Sequence, residues 1–309
     1  MTDLAAPPYA GPSAPHLLDD ATPGAVRAAL RRHGAVLLRG AHRTVTDFED
    51  LADALMTPLI HHSVAGRERE PVSADGATAT VNKGSHAIPL HRELSYAPGT
   101  PDLLMFYCEQ PPRDGGATTL CDGAALLDRL PTEIVEFLRA NELVWTWSAS
   151  PERWHSTLGV DTPAAAQQVV AALNRRYAGL GHLGASFDGD TLNGTYTTSF
   201  LVRSGDPARD SFCNSLLTTL ALSQAFDLRM TAGGASATLG NGSAFPAAYL
   251  NAIAACADDV THDVAWQRGD IVVADNTRYM HGRRPIADSE RRILTRIGHA
   301  LGEHGPAQS

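Results

Sequence analysis

His91 and Glu93 stand two residues apart in IPLHRELSY, the stretch from Ile88 to Tyr96. Two residues is the strand repeat, so this spacing points an imidazole and a carboxylate to one face of an extended segment. A facial iron site needs two histidines and one carboxylate, and leaves positions open for other ligands. His91 and Glu93 supply two of the three. The second histidine must come from a distant element. His281 in DNTRYMHGRRP is best placed, because it follows an apolar run that reads as an interior strand. Metal binding requires Glu93 ionised and the ligating nitrogens of His91 and His281 unprotonated. H-x-E alone occurs by chance and reads equally as a salt-bridged surface strand. The distal WQRGD…DN…HGR segment favours the metal reading.

An arginine fork suits a ligand carboxylate, which it can bind through two parallel hydrogen bonds. RRILTR supplies Arg291, Arg292 and Arg296. Strand alternation puts Arg292 and Arg296 on one face and turns Arg291 away. Thr118, close to Gly115-Gly116, offers a hydroxyl to the same carboxylate. The competing reading has these arginines capping an exposed sheet edge.

Residues expected to meet a substrate are Asn82, Ser85 and His86 in VNKGSHAIPL and Tyr196 in LNGTYTTSF. The first three read equally as loop hydrogen-bonders, and Tyr196 and Phe200 also read as core packing. Arg67, Lys83 and Arg203 are further cations able to meet a carboxylate or phosphate. Asn276 and Arg278, just before His281, are expected to brace its loop. His61-His62, His155, His182, His262 and His299 lack partners at ligand spacing.

Several elements must position these residues. TPGAVRAALRRHG predicts a helix with Thr22 as cap, Pro23 in the first turn and Gly34 as its stop. AVLLRG reads as a buried strand. A capping box of Thr46 and Glu49 opens a second helix with Phe48, Leu51, Ala52 and Leu55 on its apolar face. DLLMFYCEQ, GGATTLCD and ELVWTWS read as extended, GAALLDRLP and TEIVEFLRAN as helical. PARDSFCNSLLTTLALSQAF is expected as a helix, and another begins near Pro246. DVAWQRGDIVVADN predicts strand, tight turn, strand, and RRILTRIGHA a final strand. The expected fold is mainly β with flanking helices, a double-sheet barrel; two α+β domains are the alternative.

The 309 residues are 43% hydrophobic, enough for a substantial core, with a net charge of -9. That balance disfavours a nucleic-acid surface. Cys108, Cys121, Cys213 and Cys256 lack finger or ferredoxin spacing and read as reduced thiols of a cytoplasmic protein. No apolar run approaches the roughly 20 residues of a membrane span. Residues 1–15 lack a basic start and an apolar signal core and read as a loose leader. Residues 303–309 read as a loose tail, leaving 16–302 as a single catalytic domain. Oligomeric state is left open.

The chain resembles the taurine-dioxygenase and clavaminate-synthase-like superfamily of Fe(II)/2-oxoglutarate oxygenases. The likeness runs through LHRELSY, DLLMFYCEQPPRDGGATTLCDG, WQRGDIVVADNTRYMHGRRP and RRILTR. Within it, the chain is most similar to members serving natural-product pathways. The resemblance implies a double-stranded β-helix, or jelly-roll, core with His91, Glu93 and His281 as iron ligands. It also implies Arg292 and Thr118 on 2-oxoglutarate, with Arg296 near a co-substrate or substrate carboxylate. Fe(II), 2-oxoglutarate and O2 would then hydroxylate an unactivated C–H bond, releasing succinate and CO2; desaturation or oxidative cyclisation would use the same chemistry. The substrate would be an amino acid, free or tethered to a carrier protein, or another natural-product intermediate. Glu93 stands where taurine dioxygenase has Asp, which argues against taurine. It also argues against halogenation, since related halogenases have a small residue there. A zinc or manganese enzyme on a cupin-like barrel is a rival, marked by failure to consume 2-oxoglutarate. A non-enzymatic jelly-roll binding module is another, marked by the absence of metal-dependent chemistry.

Overall fold

The computed structural model describes residues 12–39, 43–60, 69–82, 84–204, 208–218, 235–287 and 290–301. The larger sheet contains β1 (His16–Leu18), β2 (Ala35–Leu38), β3 (Met56–Pro58), β4 (Ala79–Thr80), β6 (Leu103–Gln110), β15 (Ile271–Asp275) and β17 (Arg292–Ala300). Its order is β1-β2-β15-β6-β17-β3, with β4 alongside β17. The smaller sheet, in the order β14-β7-β16-β5, contains β5 (Ile88–His91), β7 (Thr118–Asp122), β14 (His262–Val264) and β16 (Tyr279–Arg283). All the pairings are antiparallel except β1 with β2.

Alternation along the strands explains how the two sheets share a core. In β6, Leu104, Phe106 and Cys108 turn inward, joined by Leu37, Val272, Ile293 and Ile297 of the larger sheet and Leu120, Val264 and Tyr279 of the smaller. The opposite set, Leu103, Met105 and Tyr107, turns outward with Val36, Leu38, Ile271, Val273 and Leu294. Helices α1 (Pro23–His33) and α2 (Val45–Leu55) cover that outer face with Val26, Leu30, Phe48, Leu51, Ala52 and Leu55. Burial on both faces is why these strands read as unbroken apolar runs. Each fully buried leucine or phenylalanine contributes about 1.5–3 kcal/mol.

Helix α1 forms as expected. Thr22 caps it, and Gly34, with φ +76°, closes it by donating to the Leu30 carbonyl at 2.7 Å. The second cap lies earlier than expected. Thr44, not Thr46, makes the capping box, with Asp47 in place of Glu49. Glu49 instead accepts a hydrogen bond from Thr78.

Outside the smaller sheet lie α3 (Gly123–Arg129), α4 (Thr132–Ala140) and α7 (Ala247–Val260). They share a second core with a third sheet of β8 (Glu142–Ala149), β9 (His182–Asp188), β10 (Thr191–Ser199) and β13 (Ser236–Leu239). Helices α5 (Pro151–Leu158) and α6 (Pro163–Arg176) flank it through Trp154 and Ala166. The helix expected over PARDSFCNSLLTTLALSQAF is not what forms at its start. Arg209–Ser211 is β12, paired with β11 (Val202–Ser204). Phe212 then donates its amide to the Gly123 carbonyl, so this backbone is spent on long-range bonds instead of helical ones. Residues 219–226 of that stretch lie outside the described residues.

Candidate metal centre

Strand β16 brings His281 opposite His91 on β5 and opposite Leu120 on β7. Tyr279 belongs to the inter-sheet core, so alternation turns His281 and Arg283 inward too. Glu93 lies just past the end of β5. His281 Nε2 is 3.5 Å and His91 Nε2 is 3.6 Å from Glu93 Oε2. One ligand atom from each residue lies within 4.8 Å of the others, and all three residues are buried. His91, Glu93 and His281 thus form a 2-His-1-carboxylate facial triad.

Local contacts prepare the donors. His91 Nδ1 lies 2.9 Å from the Pro89 carbonyl. A carbonyl only accepts, so Nδ1 carries the proton and Nε2 presents its lone pair. Burial, and then the neighbouring His91, pushes the His281 pKa down to about 4, keeping that ring neutral. Phe106 packs against it with ring centroids 5.5 Å apart. Glu93 is fixed through its backbone. Its amide donates to Asn276 Oδ1 at 3.0 Å, and its carbonyl accepts from Asn276 Nδ2 at 3.2 Å. Asn276 Nδ2 also donates to Pro101 O at 2.8 Å. The next residue, Leu94, has φ +54° and is the one non-glycine with positive φ among the described residues. Asn276 therefore braces Glu93, not the His281 loop expected from sequence. Arg278 does brace that loop, through Asp122 on β7.

The arginines depart from expectation. Arg292 and Arg296 do share a face of β17, but it is the outer one. Arg292 is half exposed and pairs with Glu109. Arg296, only 2% exposed, points to the α2 side and pairs with Asp53 and Asp75. The inner face carries Ile293 and Ile297, and hence Arg291. Arg291 Nη2 donates to Thr118 Oγ1 at 3.1 Å. Trp266 Nε1 donates to the same oxygen, also at 3.1 Å. Two incoming donors fill the acceptor capacity of Thr118 and leave its own O–H to give. Arg291 has no carboxylate partner among the described residues, and its buried Nε has no hydrogen-bond partner. Burial, and then the nearby Arg283, pulls its pKa down to about 10. A half-buried guanidinium beside a hydroxyl with a proton to give fits an incoming carboxylate.

Of the expected substrate residues, Asn82 reaches this region, but it accepts from Arg69 Nε at 2.8 Å. Ser85 and His86 are exposed. The His86 carbonyl, with those of Asn82 and Gly84, accepts from Arg283 instead. Tyr196 belongs to the second core and donates its hydroxyl to the Leu180 carbonyl. Arg203 is exposed beside Asp210; Arg67, Lys83, His61 and His62 lie outside the described residues. A cavity of about 630 Å³ beside Arg291 is lined by Asn82, Ser85, Arg283, Arg291 and Arg292, with Glu70 and Glu290 also on its wall, so Ser85 and Arg292 border it although their side chains are not turned to the triad. Arg69, Arg283 and Trp266 escaped the sequence reading, and Arg291 was turned away from the site; inward alternation of β16 was the available signal for Arg283.

Residues 4–297 match the model of the taurine catabolism dioxygenase TauD, TfdA family. The chain belongs to the TauD/TfdA family. It is 26% identical to a clavaminate synthase-like protein of Arabidopsis thaliana over 281 residues, covering 87% of this chain and 82% of the relative. It is 22% identical to the dapdiamide synthesis protein DdaC of Enterobacter agglomerans over 278 residues, or 85% and 82% of the two chains. Among solved structures, a taurine dioxygenase from Burkholderia xenovorans superposes with a TM-score of 0.57 at 14% identity, covering 92% of this chain and 82% of that one. The fold is therefore the jelly roll of the TauD/TfdA family. With the triad, family membership supports Fe(II)/2-oxoglutarate-dependent oxygenase chemistry in this enzyme. No described helix is long and apolar enough to cross a membrane.

Proposed function

We propose that the protein hydroxylates an unactivated C–H bond of an amino acid or natural-product intermediate, with Arg291 and Thr118 holding 2-oxoglutarate. The observation that carries this reading is the Arg291–Thr118 pair: an arginine with no carboxylate partner among the described residues, bonded to a hydroxyl on β7, the strand that pairs with the His281 strand. His91, Glu93 and His281 would hold Fe(II), and the far carboxylate of 2-oxoglutarate would meet Arg291 and the Thr118 hydroxyl. Together the bound metal and co-substrate supply oxidation of a C–H bond by O2, with succinate and CO2 as co-products.

The chain's own residues bind and orient. Pro89 O keeps the proton of His91 on Nδ1. Asn276 holds the Glu93 backbone on both sides. Trp266 and Arg291 together orient the Thr118 hydroxyl. Arg283 gathers the carbonyls of Asn82, Gly84 and His86, fixing the loop before β5. Phe106 and the surrounding apolar core limit water at His281, which strengthens the electrostatics of the site.

Glu93 in the carboxylate position supports oxygenation over halogenation. The similarity to a dapdiamide synthesis protein supports a small substrate from natural-product metabolism, free or carried on a protein. Four free cysteines, three of them buried, support a cytoplasmic location. The test is succinate release from 2-oxoglutarate under O2 and Fe(II), screened over free and carrier-tethered amino acids. Substrate-dependent succinate, lost in His281→Ala, is the expected result. Metal-loaded protein that never consumes 2-oxoglutarate would overturn the reading and favour another metal enzyme.

A further inference from the structure

Both imidazoles gather at one oxygen of Glu93, while Arg69 reaches both oxygens and lies nearer the other. Oε2 is the one near both imidazoles, at 3.6 Å from His91 Nε2 and 3.5 Å from His281 Nε2. Arg69 approaches from another side, with Nη2 3.3 Å from Oε1 and 3.5 Å from Oε2. The Arg69 side chain is 12% exposed and is aimed by Asn82, which accepts from its Nε at 2.8 Å. Asn82 is held in turn, its carbonyl accepting from Arg283 Nη1 at 2.6 Å. A chain of contacts thus runs from β16 to the metal-ligand carboxylate.

A carboxylate can bind a metal through one oxygen or both. In a six-coordinate facial triad a one-oxygen glutamate leaves about three positions, and a two-oxygen glutamate about two. A keto acid takes two positions, so the extra bond would consume the one needed for O2. We propose that Arg69 is a positioning residue that confines Glu93 to a single metal bond through Oε2 by holding Oε1. This rests on reading the triad as a metal centre that must also admit a two-point ligand. Arg69 is a poor device for retaining metal, because a guanidinium beside a divalent cation repels it. Its value lies in the coordination position it protects.

That sign makes the proposal testable. Mn(II) replaces Fe(II) as a probe, and water-proton relaxation counts the waters on the bound ion. In Arg69→Met, relaxivity per bound Mn(II) should fall by about a third as Glu93 takes a second position. Mn(II) should bind as tightly as in the wild type or several-fold more tightly. Arg69→Lys keeps the charge and one donor, and should restore part of the relaxivity. Asn82→Ala, which frees the guanidinium from its support, should move relaxivity the same way by less. Unchanged relaxivity per bound Mn(II) in Arg69→Met would overturn the proposal. So would Mn(II) affinity falling together with thermal stability, which would make Arg69 a fold-supporting residue only. If Arg69→Met does not fold, Arg69→Lys and Asn82→Ala decide on the same readout. Adding 2-oxoglutarate tests the underlying function separately. Wild-type relaxivity that does not drop would defeat the co-substrate assignment, while the metal-only comparison still decides Arg69.

Discussion

Arg291 Nη2 donates to Thr118 Oγ1 across 3.1 Å, linking the inner faces of the two sheets. The relationship sets the polarity of the site. The metal triad lies where β5 and β16 meet, and the cation lies at the start of β17 beside Thr118 on β7. A dianion with a carboxylate at each end matches that arrangement: one end for the metal, the other for a guanidinium with no carboxylate partner among the described residues.

Arg296 lies outside this arrangement. It is 2% exposed and its charge is met by Asp53 and Asp75 on the α2 side. Arg296→Met should lower stability by about 1–3 kcal/mol, since it strips hydrogen bonds from a buried position. It should leave the 2-oxoglutarate dissociation constant within about twofold of wild type. Denaturant melts and a binding isotherm check the two halves.

Asn276 has no exposed surface, and its amide satisfies both backbone groups of Glu93 and the carbonyl of Pro101. Asn276→Ala leaves buried backbone groups unpaired and should cost roughly 2–5 kcal/mol. Because the backbone it loses carries Glu93, metal affinity should fall about tenfold or more. Calorimetric unfolding and Mn(II) binding measure this. A stability loss with unchanged metal affinity would show that Glu93 is held by other means.

Leu94, with φ +54°, sits in a region that costs a side-chain-bearing residue about 1–2 kcal/mol. It is 36% exposed, so replacing it loses little packing. Leu94→Gly should be neutral or stabilising by about 1 kcal/mol in a denaturant melt. A clear destabilisation would mean that its packing outweighs the strain.

The metal triad was legible because its signals are short: a histidine and a glutamate two residues apart, and a histidine just beyond an apolar run, although Glu93 comes from the turn after β5 and not from the strand itself. Strand alternation also grouped Arg292 with Arg296 correctly. What alternation cannot give is which face turns inward when both are covered, as they are for β17, with Leu294 on one side and Ile293 on the other. Arg291 was turned away for that reason alone. A bulge between Arg292 and Ile293 further offsets the pairing with β6. Arg69 and Trp266 reach the site from loops without periodicity, through contacts 24 and 148 residues apart in sequence. The misplaced cap of α2 is a smaller case: TVTDFED offers two threonines, and the one followed by aspartate at the third position forms the box.

His281 is held neutral by burial, with a folded-state pKa near 4 against an ordinary 6.5. As pH falls below about 6.5 the unfolded chain takes up this proton while the folded one does not, so stability is lost between about 6.5 and 4. Metal-free protein should show this slope in unfolding free energy, and His281→Gln should show less of it. Equal slopes in the two proteins would place the His281 titration in its ordinary range.

The most direct test of the central claim is the visible charge-transfer band of anaerobic protein with Fe(II) and 2-oxoglutarate, followed as a function of 2-oxoglutarate. Wild type should show the band. Arg291→Gln should need about 10- to 100-fold more 2-oxoglutarate, the scale of one charged hydrogen-bonding contact. Arg292→Gln, altered on the outer face, should titrate like wild type. No band with Fe(II) confirmed bound would contradict the keto-acid chemistry. A loss confined to Arg292→Gln would contradict the assignment of the inner-face arginine.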